Sequence, residues 1–192
     1  MKPNKLCIRT CLSVGLALLF LNQGEASEKC VSNSVENNSH KTIVLNRQEL
    51  HVLSVLACRT ESMMTLASFT QSHVWPHGVR DHQGRIGLFI GSSEPLIHAK
   101  DPALFEAGKS WVVLGVIAAA KYAEGSAVDP DHIAFTDSEG LNGERWYYDL
   151  DMKIARRLHR QMVDGVLKPT QAYDLIAAAW RKVSAPPELA LQ

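Results

Sequence analysis

Apolar residues recur along this chain at helical spacing in four places. In the stretch from Leu50 to Met64, the positions Leu50, Leu53, Leu56, Ala57 and Met64 share one face of a helix wound at about 3.6 residues per turn. Asn46, with Glu49 following at the capping-box interval, starts that helix, which is predicted to run to about Phe69. From Phe105 to Tyr122 the pattern changes: Trp111, Val112, Leu114, Val116 and Ile117 leave little polar face, so this helix is expected at the centre of the fold. Trp146, Leu150, Ile154, Leu158 and Met162 form a stripe for a third helix. Ala172, Leu175, Ile176, Ala179, Trp180 and Val183 form a fourth, entered through Pro169-Thr170 and ended by Pro186-Pro187.

The intervening segments are polar. Thr70 to Pro95 contains two prolines and four glycines and reads as a long loop or a short hairpin, and Glu124 to Gly143 reads as a second long loop. Loops of that length are uncommon inside a compact domain unless they line a site. Ile97 to Leu104 is short and interrupted by proline. No internal repeat or low-complexity tract appears. The expected fold class is therefore mainly α, a single helical domain with two long polar loops.

The first residues change the picture of where the chain works. Lys2, Lys5 and Arg9 make a basic start, Leu12 to Leu21 is an apolar run, and Gly24-Glu25-Ala26 offers small residues for a cut after Ala26. That is the pattern of a secretory signal peptide over 1–26, shorter than the ~20 apolar residues of a membrane-spanning helix. No Leu-rich lipobox precedes Cys11 or Cys30, so no lipid anchor is expected. A polar, flexible arm over 27–45 and one helical domain over 46–192 complete the expected organisation. The chain is expected to be exported to the periplasm or secreted, with no stable membrane span after processing.

Charge and cysteine usage narrow the partners. Of 20 basic and 20 acidic residues, the cut removes Lys2, Lys5, Arg9 and Glu25 and leaves a net charge of −2, which does not suit a nucleic-acid partner. Cys30 and Cys58 remain, and in an oxidising compartment they read as one disulfide. A nucleophilic cysteine would need a neighbouring base and a reducing compartment.

Glu61 falls on the same helical face as Leu50, Leu53 and Ala57. A carboxylate on a buried stripe must find a partner or take up a proton, and a carboxylic acid kept protonated near neutral pH is a general acid of the kind that breaks glycosidic bonds. If instead the helix frays near Arg59, Glu61 simply faces water.

The residues around Glu61 resemble a known family. Ala57-Cys58-Arg59-Thr60-Glu61-Ser62 resembles the A-x-R-x-E-S segment of family 23 lytic transglycosylases and goose-type lysozymes, in which the glutamate ends an apolar helix and is the catalytic acid. Gly84-Arg85-Ile86-Gly87-Leu88-Phe89 resembles that family's G-x-x-G-L-M/F turn. Asp101-Pro102 with Gly108 resembles the segment that opens its next helix, and Ile133-Ala134-Phe135-Thr136 stands where it carries A-A-Y-N-A-G. The resemblance spans about residues 50–140. It implies a lysozyme-like helical domain, peptidoglycan cleavage with Glu61 as the acid, and substrate contacts from Ser62, Gly87, Leu88, Phe89, Phe135 and Thr136. Three positions depart from the pattern: Ile90 replaces a cleft glutamine, Leu104 or Phe105 replaces the asparagine after Asp-Pro, and Phe135-Thr136 replaces the Tyr-Asn pair.

One acid suffices where the substrate's own N-acetyl group assists departure of the leaving sugar, so the two-carboxylate spacing of other glycosidases need not apply. Asp137 and Glu139 are the candidates for a second carboxylate. His73, His77, His82 and Asp81 cluster around Trp75, but their spacing crosses proline and glycine and does not suit a zinc site, so no metal and no cofactor is expected. Trp75 could offer a stacking surface beside a sugar cleft, and Tyr147-Tyr148 beside Trp146 could line one. Two function classes follow: a periplasmic peptidoglycan-cleaving protein, such as one that serves a secretion or conjugation machine, or a non-catalytic periplasmic binding, inhibitor or assembly protein.

Overall fold

A computed structural model describes residues 47–77, 85–142 and 146–184. The proposed signal peptide, the arm and Asn46 lie outside the described residues. Helix α1 (Arg47–Leu66) is followed by strands β1 (Ser72–His77) and β2 (Gly87–Ser92), then α2 (Pro102–Ala123), β3 (His132–Thr136) and the short α3 (Ser138–Asn142). Strand β4 (Trp146–Asp151) leads directly into α4 (Met152–Val163), and α5 (Pro169–Ala179) into β5 (Arg181–Ser184). The strands form one mixed sheet in chain order, β1-β2-β3-β4-β5, with β2 and β3 parallel and every other pair antiparallel.

The expectation of a mainly α, lysozyme-like helical domain is therefore corrected: this is a two-layer α/β domain built on a five-stranded sheet. Of the two forms expected for Thr70 to Pro95, the structure has the hairpin: the segment contains the antiparallel pair of β1 and β2. Glu124 to Gly143 contains β3 and α3. The third apolar stripe is divided between two elements. Trp146 and Leu150 belong to β4, and only from Met152 onward is the chain helical. An interval of four residues returns to one face of a helix and also to one face of a strand, whose side chains alternate with a period of two. The stripe is real in both readings, and the run of aromatic residues at 146–148 favours the pleated one.

Central strands buried on both faces read as continuous apolar runs, and β2 and β3 are buried along their whole length. Leu88, Ile90, Ile133, Phe135 and Leu150 point toward the helices and join the main core with Leu53, Trp111, Val116, Leu158 and Ile176. On the opposite face Phe89, Ala134 and Tyr147 form a second cluster, against which Trp75 and Val183 pack. Asp149, on this second face, is bound by Arg85 at 3.0 Å and Arg181 at 2.9 Å, which ties β4 to β5 and to the residues before β2.

Helix α2 is the axis of the helical layer. Asp101 caps it by accepting from the Leu104 amide at 2.9 Å, and Pro102 fills its first turn, where the missing N–H is not needed. Every residue from Trp111 to Ala120 is buried. By length and apolarity this helix could cross a bilayer, but the sheet, α1, α4 and α5 surround it. Gly108 lets it pass against the Leu96 carbonyl, into which any Cβ would run.

Candidate functional site

The side chain of Glu61 lies half-buried near the C-terminal end of α1, where that helix packs on β1. β1 is an edge of the sheet, and an edge leaves backbone N–H groups without ladder partners. The Val74 amide donates to Glu61 Oε2 at 2.7 Å. The carboxylate thus serves as a side-chain replacement for a neighbouring strand. Ser62, beside it, is also half-buried.

The other residues implied by the family resemblance are not gathered around Glu61. Gly87, Leu88 and Phe89 lie on β2, which pairs with β1, and Leu88 is fully buried in the main core. Phe89 faces the second cluster and stacks on Trp75, ring centroids 5.1 Å apart. Phe135 lies inside the main core, edge-on to Trp111 at 5.5 Å. Thr136 is buried and donates to the Trp146 carbonyl at 2.8 Å. Ile90 is a core residue. Gly84, His82 and Asp81 lie outside the described residues, as does Cys30, whereas Cys58 is half-buried on α1.

Of the two candidate second carboxylates, Glu139 is exposed and Asp137 is fully buried. Asp137 accepts from the Ile97 amide at 2.7 Å through Oδ2, and from the Glu139 and Gly140 amides at 3.0 and 3.3 Å through Oδ1. Its lone pairs hold the backbone of two connections that leave the C-terminal ends of the parallel strands β2 and β3. In open α/β sheets that end of the strands is where ligands bind.

Beside these connections lies a string of rings that no single stretch of sequence discloses. Phe105 of α2 meets Tyr173 of α5 edge-on at 6.3 Å, and Tyr173 meets Trp180 at 6.0 Å. Trp180 stacks on Tyr148 of β4 at 4.3 Å, and Tyr148 meets Trp146 at 5.4 Å. His98, in the connection after β2, closes the string at 5.5 Å from Trp146, with its Nε2 2.9 Å from Tyr148 Oη. Trp146 is buried, but Phe105, Tyr173, Trp180 and Tyr148 are only half-buried, and His98 is exposed.

Cations line this ledge. Lys109 Nζ lies 4.8 Å from the Phe105 ring centroid and 5.7 Å from that of Tyr173, and Lys182 Nζ lies 4.9 Å from that of Trp146. Burial raises the pKa of the Tyr148 phenol, and the nearby Asp137 carboxylate adds to the effect. Burial raises that of Tyr173 as well. Both phenols are neutral at physiological pH and can donate as well as accept. The sequence offered part of this site in Trp146 and Tyr148. It missed His98, Phe105, Tyr173 and Trp180, which carry no local motif.

The molecule so defined is a two-layer α/β domain with an aromatic ledge at the C-terminal ends of its parallel strands. No family model, curated protein or solved structure matches the chain.

Proposed function

We propose that the chain is an exported, non-catalytic binding protein of the cell envelope, with peptidoglycan or a periplasmic protein as its partner. The observation that carries this reading is the 2.7 Å hydrogen bond from the Val74 amide to Glu61, which gives the one candidate acid a structural task at the edge of the sheet. A general acid must reach the leaving-group oxygen, and here the carboxylate is turned into the joint between α1 and β1. Leu88, Phe135 and Thr136, the substrate contacts implied by the resemblance, are buried inside the protein. Pairing of Cys30 with Cys58 belongs to the same proposal, and the oxidising compartment that an exported chain reaches supports it.

The test is release of soluble muropeptides from purified peptidoglycan, with wild type and Glu61→Gln compared side by side. The expected result is no release above buffer by either protein. Release by wild type that falls by ~100-fold in Glu61→Gln, the loss expected when general acid catalysis is removed, would overturn the reading.

A further inference from the structure

We infer that the outward face of α4 adsorbs the protein to the headgroups of an anionic lipid bilayer. The inference goes beyond the binding-protein reading and does not depend on it. In α4, Lys153, Arg156, Arg157 and Arg160 occur within eight residues, and no acidic residue falls between Met152 and Val163. Met152, Ala155 and Leu158 are buried, which fixes how the helix is turned. Lys153, Arg157 and Arg160 stand on the outward face, at intervals of four and three, and all three are exposed.

This arrangement works against helix stability. Like charges three or four positions apart on a helix repel, and Lys153 with Arg157, Arg157 with Arg160, and Arg156 with Arg160 are such pairs. Lys153 also lies in the first turn, where the helix dipole disfavours a cation. An ordinary solvated helix face relieves such repulsion with acids at the same intervals. Here the neighbouring acids are engaged elsewhere or stand at the ends. Asp129 holds Arg156, and Asp151 caps the helix by accepting from the Lys153 amide at 2.7 Å. Glu124 lies near Arg156 and His159, and Asp164 follows the last turn. Among the described residues no ion pair joins Lys153, Arg157 or Arg160 to any of them. Departures from local stability rules are expected at functional sites, and a row of unpaired cations attracts an anionic surface.

The apolar groups beside the row select a bilayer over an acidic protein. Val163 and Val166 are 54% and 75% exposed at the turn that leaves α4, where Gly165 takes a φ of 71°. A protein interface has its apolar groups at the centre and its charges at the rim. On α4 the cations form the centre and the valines project at one end. That order suits headgroups along the row, with the two valines dipping to the boundary of the acyl chains.

The experiment is sedimentation of the processed protein with vesicles of phosphatidylcholine alone and of phosphatidylcholine with an equal part of phosphatidylglycerol. Soluble polyglutamate, an acidic polypeptide, is titrated in parallel. Wild type is compared with Arg157→Gln, Arg160→Gln, the double variant of both, and Val166→Ser. Lys100→Gln, which removes an exposed cation elsewhere on the surface, serves as control. The expected result is binding to the phosphatidylglycerol vesicles only, weakened by added salt. Each arginine removed should lower the partition constant about fivefold, and the double variant about 25-fold, from roughly 1 kcal/mol per cation. Val166→Ser should lower it about threefold or more, and Lys100→Gln should bind as wild type does. All the substituted positions are exposed, and circular dichroism melts establish that the variants are folded.

Equal binding to both vesicle compositions, or a loss in Lys100→Gln equal to that in Arg157→Gln, would overturn the inference. Binding of polyglutamate without binding of vesicles would make the occupant an acidic protein and overturn it as well. Wild type that binds neither probe would do the same. Muropeptide release is not read in any of these measurements, so failure here is distinct from failure of the binding-protein reading.

Discussion

Asp137 accepts a 2.7 Å hydrogen bond from the backbone amide of Ile97, 40 positions earlier in the chain. Through this contact a fully buried carboxylate fixes the connection that carries His98, and with it one end of the ring ledge. The other carboxylate oxygen accepts from the Glu139 and Gly140 amides at the start of α3. One side chain therefore holds two connections that leave neighbouring parallel strands.

Replacing Asp137 by alanine should leave three backbone donors without their acceptor. Each buried unsatisfied group costs roughly 1–3 kcal/mol, so with partial relaxation a loss of about 3 kcal/mol is expected. Urea denaturation at neutral pH reads this directly. A midpoint unchanged from wild type would show that the connections are held by other contacts.

Val116 is fully buried on α2. Val116→Asp should set an unpaired charge among apolar side chains at a cost of several kcal/mol, comparable to the whole stability of a domain of this size. The expected protein is aggregated or unfolded at room temperature. A soluble Val116→Asp variant that melts cooperatively at the wild-type temperature would contradict the central position of α2.

His159 lies on α4 and is 8% exposed. Burial lowers its pKa from 6.5, Lys121 and Arg160 push in the same direction, and Glu124 opposes them. Between its folded value and 6.5 the unfolded chain binds the proton more tightly than the folded one does. The contribution to stability is therefore present above 6.5 and lost as pH falls through the folded value. Wild type should lose more stability than His159→Gln between about pH 8 and pH 5. Denaturant midpoints across that range test it, and parallel profiles would remove His159 as the cause.

The pairing proposed for Cys30 and Cys58 closes a loop of roughly 28 residues and should stabilise the fold by about 3 kcal/mol in the chain-entropy model. Mass measurement of the exported protein after alkylation, with and without reductant, counts the free thiols. Two alkylated cysteines in the unreduced mature protein would exclude the bridge.

Helices were more legible than strands in this chain, for a physical reason. The stripe from Leu50 to Met64 repeats over about four turns, and Trp111 to Ala120 stays apolar over almost three, long enough for a period to declare itself. β2 and β3 are six and five residues long and buried throughout, so they show neither alternation nor a polar face. The apolar run Leu88-Phe89-Ile90 was the available signal for β2, set among glycines that read as a loop. Glu61 was legible as a carboxylate needing a partner. Its partner, a strand amide 13 positions away, depends on where α1 docks. The ring cluster was the least legible part, because Phe105 and Tyr173 fall within expected helices but outside their apolar stripes, Trp180 reads as ordinary helical core, and only the packing of the helices on β4 brings them together.

Strand order in the sheet repeats the order of the strands in the chain. A polypeptide that emerges with its amino end first can therefore lay down each strand beside the one just made, with α2 as the single detour between parallel neighbours. The outer margin of the first strand meets Glu61 of the helix that precedes it. The first strand's outer margin is thus capped at Val74 before any later strand forms, and each later strand is added on the other side.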